Sequence, residues 1–325
     1  MGDGSLLIGD IGGTNARFAL ADRNTAGFTD ELTLPCVDFE SAHHAIESFL
    51  KTRQAPAPDI ICLAAAGPVI DQTVRFTNNH WLLKAADLAA TFAGSSVRLL
   101  NDFEAIAHCV PSLESADLLP VGLPVAGPLP EDKYTVGVMG PGTGLGAVGL
   151  KMVDRVRMPI PGEAGHVGFA PATKVQMEVL GVLREQYDRV SVERLISGSG
   201  LTNIHWALGR VHGTDWPQRT AGEIFAAAQD NTDGRAAEAV QLFFEILGQV
   251  AGDYALSIGA FDGIFIAGGI LPRYPELFAK SGFRTGFENK GRYRSMLEKI
   301  PTQLILHRNP GLLGAAVVAA QMAQE

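Results

Sequence analysis

The first residues suited to chemistry lie near the N-terminus, where two adjacent glycines stand beside an acid, a hydroxyl and an amide. Glycine lets backbone N–H groups approach a phosphate closely, and Thr14 and Asn15 add side-chain donors. Asp10 would repel a bare phosphate, so it fits only if hydrated Mg²⁺ lies between them. The predicted phosphate loop consists of Gly9, Asp10, Ile11, Gly12, Gly13, Thr14 and Asn15. Alone the segment is a weak signal, and an ordinary tight hairpin with an incidental Asp stays open.

A second segment repeats this pattern. Residues 5–22, SLLIGDIGGTNARFALAD, and residues 134–151, YTVGVMGPGTGLGAVGLK, each predict a strand, a glycine-rich turn and a second strand. The chain is therefore predicted to be internally duplicated. Gly142, Thr143 and Gly144 take the mirror role of the first loop, so the two hairpins could grip a polyphosphate from both sides. Neither segment is a Walker A loop or a dinucleotide fingerprint, because no Gly-Lys-Ser/Thr follows and the second glycine pair opens a strand.

Asn101 and Asp102 follow an apolar strand and begin a helix. Open α/β sheets bind ligands at the carboxyl ends of their strands, so a carboxylate here could act as a base in phosphoryl transfer, where positioning counts more than basicity. Helix capping is the alternative, and the pair taken alone favours it.

The loop PGEAGHVGFAP places Glu163 and His166 three residues apart, and Glu193 follows later. Carboxylate and imidazole groups accept from and donate to sugar hydroxyls, so these residues are candidates for binding a neutral sugar. A metal site is the rival for Glu163 and His166, although no further His or Cys stands at ligand spacing. Glu193 taken alone is better explained as a solvated helix charge.

Two further candidates are weaker. Asn78, in TNNHW with Trp81 nearby, is a candidate sugar contact. Gly268 and Gly269 follow a buried strand and could let an adenine ring lie against the backbone, but a plain strand-to-helix turn explains them nearly as well.

The surrounding patterns predict two α/β domains that position these residues. Strands are expected at 60–65, 97–100 and 264–266, with a helix from Asp102 through Cys109. Apolar residues at i, i+3, i+4 spacing over 240–254 predict one long helix packed on a sheet. Residues 111–130 are expected to cross into the second domain, and a helix over 311–324 to return to the first. The predicted domains are 1–111 with 312–325, and 112–311.

Composition limits the classes of protein. The 325 residues suffice for two domains that each bury a core, and the net charge of -9 argues against a nucleic-acid or membrane partner. Cys36, Cys62 and Cys109 lie far apart and form no CxxC pair, which indicates a reducing compartment and no recognisable zinc module. No basic leader and no membrane-length apolar run is visible, so a cytoplasmic protein is expected.

Together the motifs resemble the proteobacterial-type glucokinases. They are, in family order, DIGGTNAR, TNNHW, LLNDFEA, GPGTGLG, PGEAGHVGFAP, VSVERLISG, FIAGGILPR and NPGLLGAA, and they cover nearly the whole chain. The resemblance implies an actin-like ATPase (ribonuclease H-like) fold with a cleft between a smaller and a larger α/β domain. It also implies Mg-ATP as donor, glucose as acceptor, glucose 6-phosphate for glycolysis as product, and a homodimer.

The resemblance also assigns roles position by position. Asp102 matches the catalytic base that faces the 6-hydroxyl of glucose, and Asn101, Glu163, His166 and Glu193 match sugar-binding positions. Residues 9–14 and 140–144 match the two phosphate loops. The zinc-bearing cysteine motif of the related repressor and sugar-kinase group is missing, which points away from that group.

Three rival functions would share the fold that the resemblance implies. A kinase for another hexose would keep every ATP element. A sugar-sensing regulator would need a DNA-binding extension, and an actin-like chaperone ATPase would need an added substrate domain; the sequence offers room for neither.

Overall fold

A computed structural model describes residues 5–25 and 27–325. Residues 1–4, on which the expectations about an N-terminal leader and extension partly rest, lie outside the described residues. The β-strands are β1 Ser5–Ile11, β2 Asn15–Ala21, β3 Phe28–Pro35, β4 Pro58–Ala65, β5 Val69–Ile70, β6 Thr73–Arg75, β7 Leu82–Lys84, β8 Ser96–Asn101, β9 Leu118–Pro120, β10 Lys133–Pro141, β11 Leu145–Val153, β12 Val156–Pro161, β13 Gly263–Ile266 and β14 Thr302–Ile305. The α-helices are α1 Ala42–Arg53, α2 Ala85–Thr91, α3 Asp102–Cys109, α4 Lys174–Leu183, α5 Gly198–Val211, α6 Ala221–Gln229, α7 Gly234–Ile258, α8 Pro275–Ala279, α9 Phe283–Glu288, α10 Arg294–Leu297 and α11 Pro310–Met322.

The chain divides into two compact units. The first unit contains Met1–Leu113 and His307–Glu325, and the second contains Glu114–Leu306. The sequence analysis expected the crossings at 111/112 and 311/312, whereas these units meet at 113/114 and 306/307. Residues 307–309, which lead into α11, belong to the first unit.

The first unit is built on a five-stranded sheet with the order β3-β2-β1-β4-β8. Strands β3, β2 and β1 are antiparallel neighbours, whereas β1, β4 and β8 run parallel. Successive side chains of a strand point to opposite faces. Leu6 and Ile8 accordingly pack in the cluster that contains Leu312 of α11, and Leu7 packs with Phe18 and Phe49 on the other face.

The close packing of α11 explains why it is rich in small residues. It packs on α3, and a Cβ placed on Gly314 would overlap the backbone of Ala105. Close helix packing therefore needs glycine at this position. The predicted return of the C-terminal helix to the first domain is confirmed.

The second unit repeats the strand order of the first. Its six-stranded sheet runs β12-β11-β10-β13-β14-β9. If β9 is left aside and the other five strands are numbered along the chain, their order in the sheet is third, second, first, fourth, fifth. The five strands of the first unit follow the same order. In each unit three antiparallel strands are followed by two parallel additions. The internal duplication predicted from the two hairpins is confirmed in the topology.

The predicted elements are otherwise found with small changes. The long helix is α7, and the strands at 60–65, 97–100 and 264–266 are β4, β8 and β13. Residues 111–130 were predicted only to cross between domains, but they also supply β9, which pairs antiparallel with β14. Within the described ranges, none of the helices combines the length and the apolar character that crossing a bilayer requires.

Candidate active site

The first predicted phosphate loop is the tight turn between β1 and β2. The backbone N–H of Gly12 donates to the carbonyl of Asn15 at 2.9 Å, and the Gly12 carbonyl accepts from Nδ2 of Asn79 at 3.1 Å. Asn79 thus fixes the turn from a distant segment. The sequence analysis missed this residue, although it stands in the quoted TNNHW motif.

A cavity of about 480 Å³ lies beside this turn in the first unit. Its wall combines Gly13 and Thr14 with Asn78, so the structure brings the predicted sugar contact to the predicted phosphate loop. Gly13 lies so close that a Cβ on it would be 3.2 Å from the Cβ of Asn78. Trp81 does not offer a face here, because it is buried and its Nε1 donates to the carbonyl of Phe39.

Gly9, Asp10 and Ile11 of the predicted loop lie inside β1 and Asn15 begins β2, so the turn itself is residues 12–14. Ile11 is buried, and a Cβ on Gly9 would lie 2.7 Å from Leu63 and 2.9 Å from Phe18. Close packing within the sheet therefore explains Gly9. Phosphate binding by Gly9 and Ile11 stays a prediction.

Asp10 stands at the end of β1 with its side chain 30% exposed. Burial raises the pKa of this carboxyl, and Arg17, whose Nη1 lies 3.9 Å from Oδ2, lowers it. Arg17 also pairs with Glu31 at 3.3 Å, and Glu31 accepts from Nδ2 of Asn309 at 2.7 Å. This chain of contacts ties the Asp10 side chain to the start of α11.

The donor set at Asp10 fits Mg²⁺. Among the described residues no group of three or more His, Cys, Asp or Glu side chains could hold a metal ion. Magnesium needs no such cage, since one or two carboxylates together with substrate phosphates and water commonly hold it. A partly exposed carboxylate next to a glycine-rich turn meets that requirement.

Asn101, and not Asp102, caps the start of α3. Asn101 is the N-cap of α3: its Oδ1 accepts from the N–H groups of Phe103 at 2.9 Å and Glu104 at 3.3 Å. Its Nδ2 donates to the carbonyl of Gly67 at 3.1 Å. The capping alternative is therefore right for Asn101, and Asp102 occupies the first turn of the helix.

The surroundings of Asp102 make it a stronger base than an ordinary aspartate. Burial, joined by the nearby negative charge of Asp10, raises the pKa of Asp102 to about 6. The backbone N–H of Phe103 donates to Oδ1 of Asp102 at 3.0 Å and opposes part of that rise. A general base works best with a pKa near the working pH.

The second predicted phosphate loop is the turn between β10 and β11. Its Gly142 N–H donates to the carbonyl of Gly144 at 2.8 Å. The Gly142 carbonyl accepts from the N–H of Gly198 at 2.9 Å, so the start of α5 anchors the turn. Thr143 is exposed at the tip.

Glu193 is bonded to this turn. Its Oε2 accepts from the N–H of Leu145 at 3.0 Å, and a Cβ on Gly144 would lie 2.5 Å from that oxygen. Glu193 lies in a partly buried 3-10 turn, Val192–Arg194. The alternative of a solvated helix charge is therefore wrong.

The loop with Glu163 and His166 meets the same turn. A Cβ on Gly165 would lie 2.6 Å from the carbonyl of Leu145, so the loop passes directly against β11. The side chains of Glu163 and His166 are 70% and 60% exposed, with Oε2 and Nε2 4.0 Å apart. Both remain accessible to a ligand.

Gly268 has a packing role of its own. Its φ is +91°, and a Cβ there would lie 2.5 Å from the carbonyl oxygen of Pro141. This backbone geometry supports the alternative that Gly268 serves a strand-to-helix turn. Gly269 faces open space, with no atom within 4 Å of a Cβ placed on it, and an adenine contact at either glycine stays a prediction.

Two glycine-rich turns, a buried carboxylate with a raised pKa and exposed hydrogen-bonding side chains, carried by duplicated α/β units, are the parts that a sugar kinase requires. A model of the glucokinase family matches residues 7–322. The glucokinase of Marinobacter nauticus is 39% identical over 310 residues, which are 95% of each chain. The chain belongs to the glucokinase family.

Solved structures agree with this assignment. The crystal structure of a glucokinase from an Antarctic psychrotroph matches with a TM-score of 0.89 and 32% identity, over 98% of this chain and 100% of that one. A ROK family glucokinase from Streptomyces griseus, solved with glucose and AMPPNP, matches with a TM-score of 0.65 and 19% identity, over 98% of this chain and 100% of that one. This second likeness concerns the fold alone.

Proposed function

We propose that the protein transfers the γ-phosphoryl group of Mg-ATP to the 6-hydroxyl of glucose, giving glucose 6-phosphate and ADP. The observation that carries the proposal is Asp102, a carboxylate with a pKa of about 6 in the first turn of α3, whose charge interacts with Asp10 at the end of the first loop strand. Membership in the glucokinase family supports the choice of glucose.

Each half of the proposed site has a task. Asp102 accepts the proton of the 6-hydroxyl as the hydroxyl oxygen attacks the γ-phosphorus and ADP leaves. The sugar is positioned by hydrogen bonds with Asn78, Asn101, Glu163, His166 and Glu193, the two carboxylates accepting from its hydroxyls. The turns at 12–14 and 142–144 donate backbone N–H groups to the phosphates. Asp10 would hold Mg²⁺ through water, and the ion would neutralise phosphate charge.

We infer further that the two units close on the substrates across a cleft. Each unit carries one phosphate turn and part of the proposed sugar-binding set, so neither is sufficient alone. Closure would exclude the water that otherwise competes with the hydroxyl for the γ-phosphate. Small-angle scattering should show a smaller radius of gyration with glucose than without it, and unchanged scattering would contradict closure.

The proposed setting is the cytoplasm, where ATP is available and glucose 6-phosphate enters glycolysis. The cysteines Cys36, Cys62 and Cys109 are buried and form no disulfide with one another, as suits a reducing compartment. A homodimer is proposed from the family resemblance, and light scattering at several concentrations tests it.

One assay tests the reaction itself. The purified protein is offered glucose, mannose, fructose and galactose, each with ATP, ADP or polyphosphate as donor, and product formation is followed with magnesium present. We expect turnover to be highest with glucose and ATP. Faster turnover of another hexose would make that sugar, rather than glucose, the substrate. No turnover with any combination of hexose and donor would overturn the proposal.

A further inference from the structure

Two of the residues proposed to bind the sugar lie on segments of the second unit that pair with each other. Gly168 and Ser191 form an isolated antiparallel bridge. Because partner numbers run in opposite directions along antiparallel segments, this register places His166 across from Glu193. The two residues are therefore brought to the same end of one short pairing, although they stand apart in the sequence.

Two backbone hydrogen bonds flank the bridge. The N–H of Phe169 donates to the carbonyl of Val190 at 3.1 Å, and the N–H of Val192 donates to the carbonyl of Val167 at 3.0 Å. Val190 and Val192 are buried in the core of the second unit, so their segment is firmly held. Because the bridge is a single residue pair, the backbone at His166 depends on further contacts.

Arg189 supplies such a contact. Its Nη2 donates to the carbonyl of His166 at 2.7 Å, the length of a charge-assisted hydrogen bond. The N–H of His166 donates to the carbonyl of Glu163 at 3.0 Å around the 3-10 turn Ala164–His166. Both backbone polar groups of His166 are therefore engaged, the N–H within its own turn and the carbonyl with the guanidinium.

The imidazole of His166 is free to meet a ligand, and its backbone decides where it does so. The side chain is 60% exposed, so neighbouring atoms restrict it little and its location depends on how firmly the backbone is held. A mobile backbone must be ordered when a ligand binds, which costs affinity. A contact that orders His166 beforehand therefore strengthens binding without touching the ligand.

The turn that carries Glu193 is anchored by different side chains. Oγ of Ser197 donates to the carbonyl of Glu193 at 2.8 Å. Nδ2 of Asn203, on α5, donates to the carbonyl of the next residue, Arg194, at 2.8 Å. Loss of the Arg189 side chain should therefore leave the Glu193 turn in place.

We propose that Arg189 is a positioning residue for sugar binding: its guanidinium holds the backbone of His166 so that the imidazole meets the sugar hydroxyls. The proposal rests on the proposed function, which assigns sugar binding to His166. Arg189 itself does not contact the sugar, so it affects affinity through His166.

The test removes the donor and measures glucose binding apart from turnover. Arg189→Met keeps an aliphatic stem but cannot donate, Arg189→Lys keeps a cationic donor, and Arg184→Ala changes another exposed arginine of the same unit as a control. Calorimetry without nucleotide gives the glucose affinity. We expect a loss of about tenfold in Arg189→Met, the scale of one hydrogen bond to a charged group. Arg189→Lys should recover most of that loss, and Arg184→Ala should bind like the wild type.

A double-mutant cycle separates positioning from a general effect on the fold. His166→Ala leaves no imidazole to position, so adding Arg189→Met to it should change the glucose affinity by less than about twofold. Either of two results would overturn the proposal: unchanged affinity in the single Arg189→Met variant, or the same loss from Arg189→Met in both backgrounds. Arg189→Ala takes the place of Arg189→Met if that variant does not fold.

Hydrogen exchange gives a second measurement that needs no sugar. The amides of residues 164–169 should exchange faster in Arg189→Met than in the wild type, and at the wild-type rate in Arg184→Ala. Equal exchange in Arg189→Met and the wild type contradicts the positioning role. A failure of the proposed function would appear separately, as protein in which Arg189 orders this loop but which phosphorylates no hexose.

Discussion

The carboxylate of Glu193 accepts a hydrogen bond from the backbone N–H of Leu145 at 3.0 Å. A residue proposed to bind the sugar therefore also holds the turn proposed to bind phosphate. The contact leaves the other carboxylate oxygen for a ligand, so the two tasks can be separated by substitution.

Glu193→Ala should harm both substrates, whereas Glu193→Gln should harm mainly glucose. Alanine leaves the Leu145 N–H without its acceptor, while glutamine keeps an oxygen there but loses the charge. We expect the KM for ATP to rise about tenfold in Glu193→Ala and to change little in Glu193→Gln, since one lost hydrogen bond to a charged group is worth about 1.5–3 kcal/mol. Steady-state kinetics check this, with Glu185→Ala as an exposed control. Equal ATP constants in both Glu193 variants would show that the contact does not order the turn.

Asp102→Asn should remove the base yet keep the fold. Asparagine retains an oxygen for the Phe103 N–H, so α3 should begin as before. We expect kcat to fall by roughly 10²–10⁴, the usual contribution of a general base, with glucose affinity changed only a few-fold. Asp132→Asn, at an exposed site, serves as control. Turnover near the wild-type rate would exclude Asp102 as the base.

The pH dependence should follow Asp102. Its carboxylate is the active form and its pKa is raised to about 6, so activity should be full above that pH and fall on acidification. We expect kcat/KM for glucose to drop about tenfold per pH unit below the midpoint. In metal-free protein, Asp10→Asn should move the Asp102 titration to lower pH, because it removes a negative neighbour. Carbon-13 NMR of the carboxyl measures both midpoints; the same midpoint in both proteins would contradict the coupling.

Asp10→Asn should also raise the magnesium requirement. The amide is a poorer partner for a hydrated Mg²⁺ than the carboxylate, although it occupies the same space. We expect half-saturating magnesium to increase by about tenfold, equivalent to roughly 1.4 kcal/mol. Activity titrated with magnesium at fixed ATP gives the value, and Asp87→Asn at the surface is the control. A superimposable titration would remove Asp10 from the metal site.

Gly268→Ala and Gly269→Ala form a matched pair. The first places a Cβ against the Pro141 carbonyl at a positive φ, whereas the second adds it in open space. We expect Gly268→Ala to lower the free energy of unfolding by about 2 kcal/mol or more and Gly269→Ala to change it by less than about 0.5 kcal/mol. Urea unfolding measures both, and equal losses would contradict the packing role of Gly268.

Local patterns were sufficient to predict many of the elements. The glycine-rich hairpins at β1–β2 and β10–β11, the strand before Asn101 and the long α7 all follow from periodicity and turn chemistry within a short window. Strand β9 was missed because three residues give too short a pattern, and its pairing with β14 joins segments far apart in the chain.

In the candidate site, too, some features follow from local sequence and others only from the tertiary structure. Residue types and order indicated two phosphate turns and Glu163 and His166 as sugar-binding candidates, whereas the roles of Asp102 and Glu193 came from the family resemblance. Only the tertiary structure decided that Asn101 rather than Asp102 caps α3, that Asn79 fixes the first turn across 67 residues of sequence, and that Glu193 fixes the second across 48. These contacts, like the burial that raises the pKa of Asp102, depend on which distant groups folding brings together, and no local spacing encodes that.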